Sequence, residues 1–179
     1  MATRKKTVLR TIRIPVELAE LLERDAGTKR MSVNALVVAI LTKYSEWDRL
    51  AEKFGFITFT RQGFRRLLDA ADEDKLNEIS RELGSRQARE VILFWFGKVT
   101  VETFLAYVSA FSRYGGLAEI EVKSEGPEYT ITGHHDLGER WSNVLRHFLG
   151  EAMRDTLGIE PRFHISKTSL VVRFSTLGR

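Results

Sequence analysis

Apolar positions recur at helical spacing along most of the chain and alternate in only a few short stretches. The first stretch, residues 7–14 (Thr-Val-Leu-Arg-Thr-Ile-Arg-Ile), is rich in β-branched types and predicts one strand. Pro15 ends it and pre-sets the first turn of a helix, where Glu17 and Glu20 suit the positive end of the dipole. That helix is expected to run to about Asp25, with Leu18, Leu21 and Leu22 on one face, and to stop at Gly27. Ser32 then caps a second helix. Its stripe is Val33, Leu36, Val37, Ile40, Leu41, Tyr44, Trp47, Leu50, Ala51 and Phe54, and Gly55 follows it as a candidate boundary.

Beyond Gly55, residues 56–59 read as a short strand, and Thr60 caps a helix carrying Phe64, Leu67 and Leu68. Residues 72–83 predict a helix stopped by Gly84, Ser85 caps another through Phe96, and Thr100 opens a fourth with Phe104, Leu105, Val108 and Phe111 on one side. After Gly115-Gly116 the period changes to two. Residues 118–123 and 129–132 predict a hairpin, a helix spans 137–157, and strands at 162–165 and 170–174 surround Ser166-Lys167-Thr168-Ser169. The expected fold class is mainly α with α+β. A β-α-α unit over residues 1–54 binds DNA and dimerises, and an α+β domain over 56–179 binds an effector or oligomerises.

Charge changes this picture more than composition does. At 43% apolar residues the chain can bury a core, and it has no cysteine, so disulfides and Cys-ligated zinc are excluded. Residues 1–50 hold ten Lys/Arg against six Asp/Glu, whereas residues 51–179 hold eighteen of each. All of the net charge of +4 therefore lies in the first 50 residues, and Arg4, Lys5, Lys6, Arg10 and Arg13 have no acid among them. A basic end on a neutral body points to a polyanion at that end; a solubilising tail is the plainer alternative. No apolar run reaches the length of a membrane span and none follows the first Met as a secretory signal would, so a cytoplasmic, nucleoid-associated location is expected.

One short strand and two helices cannot bury their own apolar faces, so the unit is expected to pair with a second copy, as a homodimer or a tetramer. Alternation then turns Val8, Ile12 and Ile14 inward and leaves Leu9, Thr11 and Arg13 outward, with Arg10 leaning to the rim. In a major groove Arg13 can bond guanine bidentately, Thr11 can bond a base edge, and Thr11 or Leu9 can touch a thymine methyl. The run Arg10-Thr-Ile-Arg-Ile-Pro15, the helix after it, and Ser32-Val33-Asn34 opening the next helix resemble the ribbon-helix-helix family of the Arc and MetJ repressors, over residues 7–50. The resemblance implies that Leu9, Thr11 and Arg13 read bases of double-stranded DNA. It also implies that the backbone amides around Ser32, Val33 and Asn34 clamp a phosphate. Lys5, Lys6 and Arg4 would form an arm on the phosphates, with Arg10 beside them. The expected function is sequence-specific transcriptional regulation through a two-stranded ribbon in the major groove. Architectural coating of DNA and toxin neutralisation are the alternatives, and the large apolar second part argues against an antitoxin's disordered tail.

All four histidines lie late, at His134, His135, His147 and His164, and with Asp136 they offer a metal reading. Asp136 and Glu139 read equally as a capping box for the helix that follows, so no metal or other cofactor is expected. The nickel-responsive relatives in the same family use a cysteine that is missing here. Trp141, Val144, Leu145, Phe148, Ala152 and Leu157 form a core-type stripe, while Phe94, Trp95 and Phe96 cannot all share one helix face, so one or two of them are expected to reach a partner subunit or a ligand pocket, with the core as the plainer home. No phosphate loop, H-E-x-x-H, G-x-S-x-G or G-x-G-x-x-G occurs, and no enzymatic activity is expected.

Overall fold

The computed structural model describes residues 6–177. The chain folds as two compact units, one ending at Asp48 and one beginning at Arg49.

In the first unit, residues 6–15 form neither helix nor strand, and all are exposed. This corrects the expected N-terminal strand at 7–14 and with it the β-α-α fold: among the described residues every strand lies in the C-terminal part of the chain, from Glu119 onward, after six of the helices. The physical reason is that a strand exists only through a ladder partner, and among the described residues no other segment pairs with this one. Val8, Ile12 and Ile14, expected to face inward, are 78%, 66% and 37% exposed. Helix α1 (Val16–Thr28) runs past Gly27, so Gly27 does not stop it. The left-handed residue is Arg30, at φ 53°, in a turn where Met31 N–H donates to the Ala26 carbonyl at 3.0 Å. Ser32 caps α2 (Val33–Lys43) as expected, its Oγ accepting from Ala35 N–H at 3.1 Å. A π-helical turn, Tyr44–Asp48, closes the unit.

The second unit begins with the short α3 (Arg49–Lys53). Residues 56–59 are not a strand. Phe56 instead packs its ring near Phe54 (6.3 Å) and Phe111 (5.7 Å), which gives the segment an apolar anchor without a ladder. Thr60 and Asp72 cap α4 (Arg61–Ala70) and α5 (Glu73–Phe96) through Gly63 N–H and Lys75 N–H. Arg140 donates to the Leu68 and Asp69 carbonyls at the end of α4, where a cation meets the negative pole of the helix.

Helix α5 is one continuous element through Gly84 and Ser85, where the sequence predicted a stop and a new cap. Gly84 is there for space. A Cβ on it would lie 2.3 Å from the Phe148 carbonyl oxygen of α7 (Glu139–Leu157) and 3.1 Å from Glu151 Cβ. Ser80 and Ala88, one turn to either side, are buried too, so the two helix backbones meet along small residues.

Thr100 caps α6 (Val101–Ala110) through a reciprocal box with Thr103, and a second π-helical turn, Phe111–Gly115, follows. Strands β1 (Glu119–Glu125), β2 (Glu128–His134), β3 (Arg162–Ile165) and β4 (Ser169–Ser175) form one antiparallel sheet in the order β1-β2-β4-β3. Its inner face carries Ile131, Leu170, Val172 and Phe174 into a core with Val91 and Ile92 of α5, Phe104 and Val108 of α6, and Leu149 and Met153 of α7. The outer face is polar, as alternation on a one-sided sheet requires. Among the described residues no single helix is long and apolar enough to cross a membrane.

Candidate nucleic-acid interface

The basic segment is presented without cover. Lys6, Leu9, Arg10, Thr11 and Arg13 are exposed, Leu9 at 89%, and no acidic residue stands between position 6 and Glu17. Among the described residues none of these three cations has a carboxylate partner. Arg4 and Lys5, expected to lie on phosphates, are outside the described residues. The segment therefore presents three cations among exposed apolar side chains, with Arg10 and Arg13 offering guanidinium forks for phosphate or guanine.

The second element is the start of α2. Ser32 Oγ is used by Ala35 N–H, and the first backbone bond of the helix is Leu36 N–H to the Ser32 carbonyl. The amides of Val33 and Asn34 precede that bond, and both residues are exposed, so the positive end of an 11-residue helix opens outward. α1 and α2 pack on one another, which fixes this opening relative to α1.

What the unit lacks is a core of its own. Among its described residues only Ala26, Leu36 and Trp47 are buried. Val33, Ile40, Leu41 and Tyr44 lie at helical spacing along α2 and its π-helical turn, and all are exposed, Leu41 at 59%. Apolar area in water costs about 25 cal/mol per Å², so a bare stripe of this kind favours association.

The histidines are spread over the second unit. His134 ends β2, exposed; His164 sits on β3; His147 lies on α7 beside Arg146. His134, His135 and Asp136 line a shallow hollow of about 370 Å³, but Arg61 also lines it. Its Nη1 lies 3.2 Å from Asp136 Oδ2, and its Nη2 donates to the Gly116 carbonyl. A guanidinium there neutralises Asp136 and repels a cation, although Glu119, the register partner of His134, also lines the hollow. Among the described residues no three His, Cys, Asp or Glu side chains converge on a metal position.

Asp136 is not part of a capping box. α7 starts at Glu139 on Gly138, without a side-chain cap.

His135 is held from inside. Ser142, fully buried, donates its hydroxyl proton to the Ser166 carbonyl at 2.6 Å, so the 2.9 Å contact with His135 must be Nε2–H donating to Ser142 Oγ. Nδ1 is left as the bare nitrogen, buried and with no partner among the described residues. Ser142 is closed to any substrate, so the pair is structural. Burial holds the His135 pKa below its ordinary 6.5, opposed by Asp136 and aided by His134. Unfolding exposes this imidazole and lets it take up a proton the folded state resists. Stability is therefore expected to fall as pH drops through and below about 6.5. His135→Gln, which can still donate to Ser142, is expected to flatten the decline between about pH 7 and 5. A denaturant series at several pH values checks this, and an unchanged slope would contradict it. His147, whose pKa burial and then Arg81 also lower, is expected to add to the same slope.

Phe94, Trp95 and Phe96 divide as three adjacent helical residues must. Phe94 takes Phe54 edge-on at 5.0 Å and has Lys53 over its face, Trp95 packs among Tyr107 and Phe111, and Phe96 stays partly exposed.

No protein-family model and no curated protein matches this chain.

Proposed function

We propose that the protein is a sequence-specific DNA-binding regulator that acts as a homodimer through its N-terminal unit, which would place it on the nucleoid. The observation that carries this reading is the fully exposed, acid-free segment Lys6–Arg13, with three unpaired cations on a chain whose remaining 129 residues from Ala51 onward are charge-neutral. Phosphate contacts by Lys6, Arg10 and the α2 amides at Val33 and Asn34 position the unit, and Arg13 with Thr11 and Leu9 reads base edges. The bare stripe on α2 supports pairing with a second copy, because a unit with three buried residues has too small a core to hold its fold alone.

Selection of duplexes from a random library by the full-length protein tests the reading. Enrichment of one shared motif is expected. Binding without enrichment would assign a sequence-blind coat of DNA instead, and absence of binding at low salt would remove the function altogether. The phosphate contacts have their own signature. Lys6→Gln with Arg10→Gln removes about four contacts per dimer, and each contact contributes about 0.9 to the slope of log affinity against log salt. The slope is expected to become shallower by about 3–4, and titrations at several salt concentrations read it directly. A slope equal to that of the unaltered protein would show that these residues do not touch phosphate.

A further inference from the structure

The register of the sheet places Arg162 of β3 directly opposite Arg173 of β4. Partners in register share a face, so both guanidinium groups rise from the outer, solvent side of the sheet, with His164 two residues further along β3. Like charges directly opposite one another destabilise a strand pair. Among the described residues neither guanidinium has a carboxylate or any other side-chain partner to relieve this. The two arginines line an open hollow of about 870 Å³ at the β3 edge. Two carboxylates also line it, and one of them, Glu160, is already held by Arg154 Nε at 2.6 Å. The other, Glu128, lies two residues from Thr130, the residue that faces Arg173 across β2. The row continues across the sheet, since Thr130 in turn faces Lys123 of β1.

We propose that this hollow is a binding site for a small phosphate-bearing ligand, clamped by Arg162 and Arg173. Two guanidinium forks rising from one face offer N–H donors suited to the oxygens of a phosphoryl dianion, whose charge offsets the repulsion between them. His164, two residues along β3 from Arg162, also lines the hollow and is a further polar group for the rest of the ligand. The site goes beyond DNA binding: it gives the second unit a ligand of its own, and its melting-temperature measurements need no DNA, so either reading can fail alone.

The pair makes a double signature that an ordinary surface arginine would not. At low salt and without ligand, Arg162→Gln is expected to raise the melting temperature of the full-length protein, because it relieves the like-charge contact. Pyrophosphate at constant ionic strength is expected to raise the melting temperature of the unaltered protein by several degrees beyond sodium chloride, and to have a much smaller effect on Arg162→Gln and Arg173→Gln. Inorganic phosphate and a nucleoside monophosphate, run as parallel arms, distinguish a bare anion from a phosphorylated organic ligand. Three results would each overturn the proposal. One is equal stabilisation by pyrophosphate and chloride, and another is equal response in the variants. The third is weaker DNA binding in the variants with no anion response, which would move the pair to the DNA interface.

Discussion

Arg13→Ala is expected to lower affinity for the selected duplex by about 1–3 kcal/mol, a factor of roughly 5 to 150, while binding to random duplex changes far less. The reason is geometric. A bidentate fork on guanine gains two hydrogen bonds that only the right base supplies, whereas a phosphate contact is the same everywhere along the duplex. Arg13 stands two residues before Pro15, whose ring fixes the backbone where α1 begins, so its side chain starts from a defined point although the segment itself is unpaired. Lys6, further from the helix, lacks that anchor and suits the sequence-blind role. Fluorescence anisotropy on the selected and the scrambled duplex separates the two. Equal losses on both would show that Arg13 contacts phosphate and not base edges.

Gly84→Ala is expected to destabilise the second unit by about 1–3 kcal/mol, against the gain of up to about 1 kcal/mol that alanine normally brings to a helix interior. The new methyl would sit 2.3 Å from a backbone oxygen of α7, and a backbone cannot rotate aside as a flexible side chain can. α5 and α7 must then separate, which loosens Val91, Ile92, Leu149 and Met153 together. Gly150 on α7 is the control. A Cβ there meets Phe163 at 3.5 Å, an ordinary contact, so Gly150→Ala is expected to keep the helix-interior gain and stabilise by up to about 1 kcal/mol. Thermal or denaturant unfolding of the two variants reads the contrast, and similar stabilities would mean that the helices part without cost.

The same glycine shows where sequence patterns lose their reach. In a local reading a glycine followed by serine is a helix stop, and nothing within the helix reveals that the glycine is needed by Phe148, far along the chain on α7. Elements whose signals are local were legible: the caps at Ser32, Thr60 and Thr100, the β1–β2 hairpin and the β3–β4 pair. Elements that depend on a distant or absent partner were not. Residues 7–14 have a strand's composition, yet a strand is a relation between two segments, and no second one pairs with them among the described residues. Residues 56–59 failed for the same reason: among the described residues no strand pairs with them, and Phe56 instead packs near Phe111 at 5.7 Å. The capping role given to Asp136 went to no side chain, because Arg61 holds that carboxylate instead.

The basic segment was legible from charge alone. The Arg162–Arg173 pair passed unnoticed, although its signal was present: counting outward from the turn Ser166–Ser169 pairs Ile165 with Leu170 and so brings the two arginines face to face. Reading strands only for their apolar face hides what the polar face has collected.

The central claim is that two copies of the N-terminal unit together hold one duplex. An anisotropy titration of the full-length protein on a labelled duplex carrying the selected motif, with the mass of the complex measured at saturation, tests it most directly. The expected result is saturable binding that weakens steeply with salt and reaches two chains per site. A protein that stays a single chain at micromolar concentration and leaves the duplex free at low salt would contradict it.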